Sequence, residues 1–491
     1  MRVSLIYIQT IEGNNVNPPL GLLYIAAVAR EAGHQIQFMD IDPTMIDIVP
    51  QIKEFNPDII GLSFLTTEYD KAKNVALTLN KEMPQSILCS GGVHTTLDTE
   101  NVLRSFPLDF CVTGEGENTF LEICDCLEKG IPYDDVKGIA YIKDGRFVKT
   151  PLRDMIEDLD SLPFPARDLI NFEKFYLTFP GCIKGRYVKS TAIMAGRGCN
   201  FNCHYCAAQK LLGPGRQYRL RTPKNVVDEV AYLQETYGIK GVLFQDSTFT
   251  ANKKWTTALC EEIINRGVKF VWSCNTRVNT VTLEMMKLMK KAGCVQIEYG
   301  VESGSPKILK ILNKQMKPQQ AIDAVSMTES VGIRVGASFM LGNPDENVTD
   351  LEMTFNLAKK LNASYTVFFF TIPYPGTELW TIARERKLIP EKVKYGTDWN
   401  IRAAESPLMS SSISSDDLQK SRAKYQNHFF VRNYFRINNV VIGLNLLLVI
   451  LKNPAASMRG IIRVVKYRRW DSFIEEMLVA YRKSLLRYMS T

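Results

Sequence analysis

The sequence predicts an α/β protein of two successive parallel-sheet domains, the first doubly wound and the second a partial (β/α)6 barrel, followed by a helical carboxy-terminal region. Short apolar runs alternate with amphipathic stretches twice along the 491 residues, and a segment rich in proline and acidic residues separates the two series. With 45% hydrophobic and 23% charged residues the composition is that of an ordinary folded chain, long enough for two or three cores.

The chain opens MRVSLIYIQT, one arginine running into an apolar stretch without a small-residue cleavage site. It reads as a first strand, not a signal peptide, and the expected address is cytoplasmic. Through residue 137, RVSLIYI, LGLLYIAAVAREAG, IQFMDI, DIIGLSFL, ILCSGG and DFCVTGEGE follow one another in strand and helix rhythm. Ligands of such sheets sit beyond the carboxyl ends of the strands. Those ends carry Ser63 to Thr67 (SFLTT), Ser90 to Thr96 (SGGVHTT) and Thr113 to Glu117 (TGEGE). Glycine lets backbone approach a ligand closely; one such loop is as readily a plain tight turn, but three on one sheet point to a ligand site.

Residues 138–185 read as a hairpin (GIAYIKDGRFVKT) and an ordered linker, DLDSLPFPARDLI. Residues 186–405 resume the alternation with STAIMAGRG, GVLFQDS, FVWSCNTR, VQIEYGVES, VGASFMLG and SYTVFFFTIP, separated by helical segments. Six such units suit a parallel barrel or partial barrel, whose chemistry collects at the strand carboxyl ends. Residues 406–491 read as helical, and their apolar run Val440 to Leu451 is too short to span a bilayer. From Ser421 onward there are 13 Lys and Arg against 3 Asp and Glu, so the net charge of +8 belongs to this tail. The body of the protein is near neutral, and nucleic acid is not an expected partner.

Three of the 11 cysteines, Cys199, Cys203 and Cys206, crowd into AGRGCNFNCHYCAAQK after the first strand of the second series. Reduced thiols in a cytosolic chain are ligands, catalysts or small core residues. A structural zinc site needs a fourth protein ligand, and the adjacent His204 points away from its neighbouring cysteine on most backbones. Chance clustering is improbable with Gly196, Gly198 and Asn202 around the thiols. An iron-sulfur cluster with three protein thiolates remains; with three instead of the usual four, one iron keeps an open position for chemistry.

This C-x-x-x-C-x-aromatic-C loop, with Tyr205 as the aromatic residue, resembles that of the radical S-adenosylmethionine (SAM) enzymes. The resemblance implies that the amino and carboxylate groups of SAM chelate the open iron of a 4Fe-4S cluster. An electron from the cluster then splits SAM into methionine and a 5′-deoxyadenosyl radical, which abstracts hydrogen from substrate. Gln245-Asp246-Ser247-Thr248-Phe249, Gly300-Val301-Glu302-Ser303-Gly304, Phe339 to Glu346 and Pro373-Tyr374-Pro375-Gly376-Thr377 resemble the family's SAM-binding loops. The implied SAM contacts are Tyr205, Asp246, Arg277, Glu302, Ser303, Gly342 and Pro373. Glu302 can accept from a ribose or ammonium group and Arg277 can pair with a carboxylate, although either alone could be a structural ion pair.

The stretches PPLGLLYIAAVAREAGH, SGGVHTT and DFCVTGEGE resemble the cobalamin-binding domain that precedes the barrel in one branch of that family, which includes methylases and the anaerobic porphyrin cyclases. Together the resemblances cover residues 1 to about 400. They imply cobalamin contacts at Ser63, Thr66, Gly91, Gly92, His94, Gly114 and Glu115. The cobalt-ligating D-x-H-x-x-G pattern is absent, since Ala32 precedes His34 and Gly92 precedes His94 where Asp is required. His94 is therefore expected as a loop or nucleotide-tail contact. Methylthiotransferases, a rival family, carry a further amino-terminal cysteine trio; here Cys89, Cys111, Cys124 and Cys126 are scattered and read as core residues.

The implied reaction is cobalamin-dependent methylation of an unactivated carbon. Radical cyclisation or dehydration without methyl transfer is the alternative, and a cobalamin-binding sensor or carrier with a structural cluster is the alternative of another class. A small-molecule or lipidic substrate and an external donor such as flavodoxin or ferredoxin are the expected partners. The basic tail suits either peripheral contact with the inner membrane surface or a helical cap packed on the barrel.

Overall fold

The structure is a computed structural model that describes residues 1–9, 18–41, 47–171, 189–211, 218–391, 412–435 and 450–468. Tyr395, Trp399, Met409, Leu447, Trp470, Phe473, Glu476 and Met477 are also described. Most of Val440 to Leu451 lies outside the described residues.

The first sheet contains β1 (Arg2–Ile8), β2 (Gln35–Ile41), β3 (Ile59–Phe64), β4 (Ile87–Gly91), β5 (Phe110–Val112), β6 (Ile139–Lys143) and β7 (Arg146–Lys149), in the order β2-β1-β3-β4-β5-β6-β7. The first five are parallel. An order of 2-1-3-4-5 is doubly wound, with its topological switch between β1 and β3. Both faces are covered, which is why β1 is apolar almost throughout. Val3 and Leu5 pack toward the helices Leu20–Glu31 and Glu117–Lys129, while Ile6 and Ile8 pack toward Val49–Phe55, Tyr69–Glu82 and Thr99–Ser105. Cys89, Cys111, Cys124 and Cys126 are buried in these layers.

The hairpin expected within the linker is instead the antiparallel edge of this sheet, with β6 pairing β5 through Cys111 and Ala140. Strand β5 is three residues long, and its outer edge takes the hairpin as a partner for its unpaired backbone groups. The segment that follows ties the domains together. Ala166 N–H donates to Leu23 O at 3.1 Å, and the buried Arg167 shares the equally buried Glu229 with Arg221.

The second sheet contains β8 (Ser190–Ile193), β11 (Gly241–Phe244), β12 (Val271–Thr276), β13 (Cys294–Glu302), β14 (Arg334–Leu341) and β15 (Tyr365–Phe370). They run parallel in sequential order, as an open (β/α)6 partial barrel requires. A two-stranded ribbon of β9 (Gly196–Arg197) and β10 (Arg219–Leu220) follows β8. Helices between successive strands begin at side-chain caps that satisfy free N–H groups, from Thr222 to Asn225 N, Asn252 to Trp255 N, Thr282 to Met285 N and Asn347 to Asp350 N.

Helix Ser415–Phe435 covers the open edge at β15. Asn433 accepts from Thr366 N–H and donates to Thr366 O, both at 2.8 Å, and Arg422 donates to Phe368 O at 3.0 Å. This occupies backbone groups that would otherwise pair with another chain. Among the described residues no helix is long and apolar enough to cross a membrane.

Candidate functional site

The carboxyl ends of the two sheets meet. Ile372, Tyr395 and Trp399, which follow β15, share one apolar cluster with Phe64 and Tyr69 at the end of β3. Tyr395 O–H donates to Asp98 at 2.5 Å. On the other side Arg197 of β9 donates to Glu115 at 3.0 Å and to Glu117 at 2.6 Å, and Arg219 of β10 donates to Glu115 at 2.8 and 2.9 Å. All four side chains are nearly buried. Burial works to raise the Glu115 pKa, but Arg219 and Arg197 outweigh it and hold the carboxyl below its usual range.

The cysteine loop starts from this clasp. Gly196 has no substitute, because a Cβ there would stand 2.6 Å from Arg219 O. Gly198 follows at φ +93°, a left-handed conformation that turns the chain toward Cys199. Cys203 is buried, and Cys199 and Cys206 are partly so. Burial raises the Cys206 thiol to about 11, and Cys203 and Cys199 add to the rise. Three thiolates that repel one another call for a shared cationic acceptor. Among the described residues no three His, Cys, Asp or Glu side chains converge on one ion. Thiolates of a cluster each take a different iron, and three thiols on one loop fit such a cluster. His204 is turned elsewhere, its Nδ1 against Ile311 O at 2.7 Å.

The expected SAM residues divide into groups. Tyr205, Arg277 and Glu302 gather beside the cysteines. Tyr205 O–H donates to Glu302 Oε1 at 3.0 Å, and Lys314 Nζ donates to the same oxygen at 2.9 Å and to the phenol oxygen at 3.0 Å. Burial, then Glu302, pushes the Tyr205 phenol up, so it remains a donor. Arg277 donates to Cys203 Sγ at 3.0 Å, lies 3.9 Å from the Phe201 ring centroid and also reaches Lys314 O. It thus faces a thiol and a carbonyl instead of a carboxylate.

Asp246 sits at the root of the loop, accepting from Ala195 N–H at 3.2 Å. Its Oδ1 is buried without a hydrogen-bond partner, and burial raises the carboxyl to about 7. Gly342, at φ +81°, donates to Glu346 at 2.6 Å, and Glu346 also accepts from Asn343 N–H and Nδ2 at 3.1 and 3.0 Å. Ser303 faces away, toward Thr354 Oγ1 at 3.0 Å. Pro373 lies between Ile372 and Tyr374, both packed against the first domain. Lys314, Arg197 and Arg219 were not singled out by sequence, and Glu346 was named only as the last residue of the Phe339 to Glu346 loop. Their partners are distant in the chain or fixed by loop geometry, and no local spacing marks them.

In the first domain, Ser63 and Gly92 touch, since a Cβ on Gly92, at φ +89°, would stand 2.6 Å from Ser63 Oγ. Gly91 ends β4, and Gly114 N–H reaches Thr96 Oγ1 at 3.4 Å. Thr66 Oγ1 hydrogen-bonds His94 Nδ1 at 3.0 Å. The His94 ring packs against Phe64, Tyr69 and Tyr395, and burial lowers its pKa to about 4, so it is neutral. Its Nε2 has no hydrogen-bond partner. Leu65 and Val93 stand exposed at the ends of β3 and β4. An apolar rim, close-approach glycines and an orphaned ring nitrogen fit a large, partly apolar cofactor with a polar tail. Glu115 serves the clasp: besides the two arginines it accepts from Ile156 N–H at 2.9 Å.

Comparison with known proteins agrees with this division. The radical SAM superfamily profile matches residues 193–358 and the B12 binding domain profile residues 8–124. An uncharacterized methyltransferase of Pyrococcus horikoshii is 34% identical over 428 residues, 86% of this chain and 90% of its own. The anaerobic magnesium-protoporphyrin IX monomethyl ester cyclase of Rubrivivax gelatinosus is 30% identical over 390 residues, 77% of this chain and 68% of its own. Among solved structures, the cobalamin-dependent S-adenosylmethionine radical enzyme OxsB, with aqua-cobalamin and SAM bound, superimposes with a TM-score of 0.72 at 16% identity, covering 100% of this chain and 80% of that one. The TsrM methyltransferase of Kitasatospora setae, with cobalamin and a 4Fe-4S cluster bound, gives 0.64 at 16% identity over 78% and 75%. At such identity these two structures speak for the fold alone.

Proposed function

This chain belongs to the radical SAM enzymes that carry a B12-binding domain, and from that premise we propose that it methylates an unactivated carbon of a small or lipidic molecule. The observation that carries the reading is the junction itself: the three-thiol loop and the glycine-lined carboxyl edge of the first sheet are clasped together by Arg197, Arg219, Glu115 and Glu117. A sensor or carrier has no need of that arrangement. Bound there, the cluster supplies the electron that splits SAM, and cobalamin supplies a methyl group.

The protein's own contribution is positioning and dryness. Cys199, Cys203 and Cys206 hold the cluster, and Arg277 places a cation against the Cys203 sulfur. Glu302, held by Lys314 and Tyr205, offers an acceptor to the ammonium or ribose of SAM. The unpartnered Asp246 Oδ1 offers a second acceptor, and Gly342 allows close backbone approach. Ser63, Thr66, Gly91, Gly92, His94 and Gly114 line the cobalamin side. An external flavodoxin or ferredoxin delivers electrons, and the address is cytoplasmic with contact at the inner membrane surface.

The test uses anaerobically purified, cluster-reconstituted protein with cobalamin, SAM and a reductant. Cleavage of SAM to 5′-deoxyadenosine above background is expected, and Cys203→Ala should reduce it to background. With a competent substrate, methylation yields 5′-deoxyadenosine and S-adenosylhomocysteine together, whereas cyclisation, the activity named for the Rubrivivax relative, yields the first alone. Protein with an intact cluster that forms neither product would sink the enzyme reading.

A further inference from the structure

Seven of the 15 large apolar side chains that stand exposed among the described residues fall between Leu447 and Trp470. Exposed apolar residues scattered singly need no explanation, but a concentration of them does. Within helix Pro454–Tyr467, Met458 is 60% exposed, Ile461 49%, Ile462 59% and Val465 75%. Their spacing of i, i+3, i+4 and i+7 makes one stripe. The opposite face holds the small residues Ala456 and Gly460, both buried. A Cβ on Gly460 would stand 2.6 Å from the Phe473 ring. The helix therefore attaches through its small residues and turns its bulky apolar ones outward, the reverse of an ordinary surface helix. Leu451 and Trp470 continue the exposed apolar surface beyond each end.

Residues 451–470 contain six Lys and Arg and no Asp or Glu. Arg459 and Arg463 both pair with Glu476, and with Asp471, Glu475 and Glu476 counted, residues 451–477 still hold six basic against three acidic side chains, so the segment is net cationic. We infer that helix Pro454–Tyr467 is a docking face for an anionic lipid bilayer, with the Met458, Ile461, Ile462 and Val465 stripe at the acyl boundary and the basic flank among the headgroups. The charge argues against a second copy of the chain, because a two-fold contact would set this cationic surface against itself. This face gives the proposed membrane contact its residues and stands apart from the radical chemistry.

The experiment is co-sedimentation of the full chain with vesicles of phosphatidylcholine alone or of an equal mixture with phosphatidylglycerol. Binding is expected to the anionic vesicles, several-fold weaker to the neutral ones, and reduced by high salt. The double variant Ile461→Asp/Val465→Asp should lower anionic-vesicle partitioning about tenfold or more, with circular dichroism unchanged. Lys452→Glu/Arg468→Glu should weaken only the anionic preference. Wild-type protein left in the supernatant, or equal partitioning by wild type and the aspartate variant, overturns the inference. So does a variant whose melting temperature or sedimenting mass falls while wild type binds no vesicles, since the stripe is then covered by the chain's own remainder or by a second copy. The readout requires neither cluster nor cobalamin, so its failure and that of the radical reading are separable.

Discussion

Glu302 stands at φ +68°, a left-handed conformation that a residue with a side chain holds only where its surroundings over-determine it. It follows a register shift between Gly300 and Glu302 in the pairing of β13 with β14, and the shift aims its carboxylate at Lys314 and Tyr205. The strand-end position of Glu302 was legible in sequence; Lys314 was not, because the shifted strand and not chain spacing chooses the partner. Lys314→Met leaves a buried carboxylate without its cation, a loss of about 3–5 kcal/mol. Thermal melting should show a marked fall, and adding Glu302→Leu should recover part of it. Asp246 carries a different signature. Its folded pKa of about 7 lies above the ordinary value, so the folded state binds the extra proton. The contribution is present below pH 4 and is lost as pH rises toward 7, at a rate approaching about 1.4 kcal/mol for each pH step of one. Wild-type protein should therefore lose more melting temperature between pH 5 and pH 8 than Asp246→Asn. Equal pH dependence would refute the assignment.

At the scale of elements, the ribbon of β9 and β10 links the cysteine loop to the first sheet. Its two arginines and the two glutamates of TGEGE are nearly buried, where removing one partner costs far more than removing both. Glu115→Ala should lower the melting temperature by several degrees, and Glu115→Ala/Arg219→Met should be less destabilised than Glu115→Ala alone. A double variant as unstable as the sum of the singles would mean that the pair is not coupled. The TGEGE stretch was read from sequence as a ligand loop because its glycines and acids end a strand. Local pattern finds such a loop but cannot say that its acid faces an arginine 104 residues away. The hairpin shows the same limit: its turn was plain in DGR, whereas its place on the edge of the first sheet depends on the shortness of β5.

At the scale of the molecule, both sheets were legible because parallel strands buried on two faces write continuous apolar runs, and the cysteine trio was legible because its chemistry is local. The meeting of the two carboxyl edges was not, since it rests on residues such as Tyr395 and Trp399 whose role is to fill a core belonging to the other domain. Trp399 packs against Tyr395, Trp380 and Tyr374, and the same cluster runs through Ile372 to Phe64 and Phe106. A shared core of this kind, with the buried Arg167–Glu229–Arg221 group and the clasp on its other side, makes unfolding of one domain expose apolar surface of the other. Wild-type protein should consequently melt in one calorimetric transition. Trp399→Ala removes a large, almost fully buried side chain, at a cost of about 3–5 kcal/mol. Because the loss falls on the junction and not on either sheet, the transition should split in two, with the barrel's component still reported by the absorbance of its cluster. A single transition that merely shifts to lower temperature would show that the clasp and the linker suffice to couple the domains without the aromatic core.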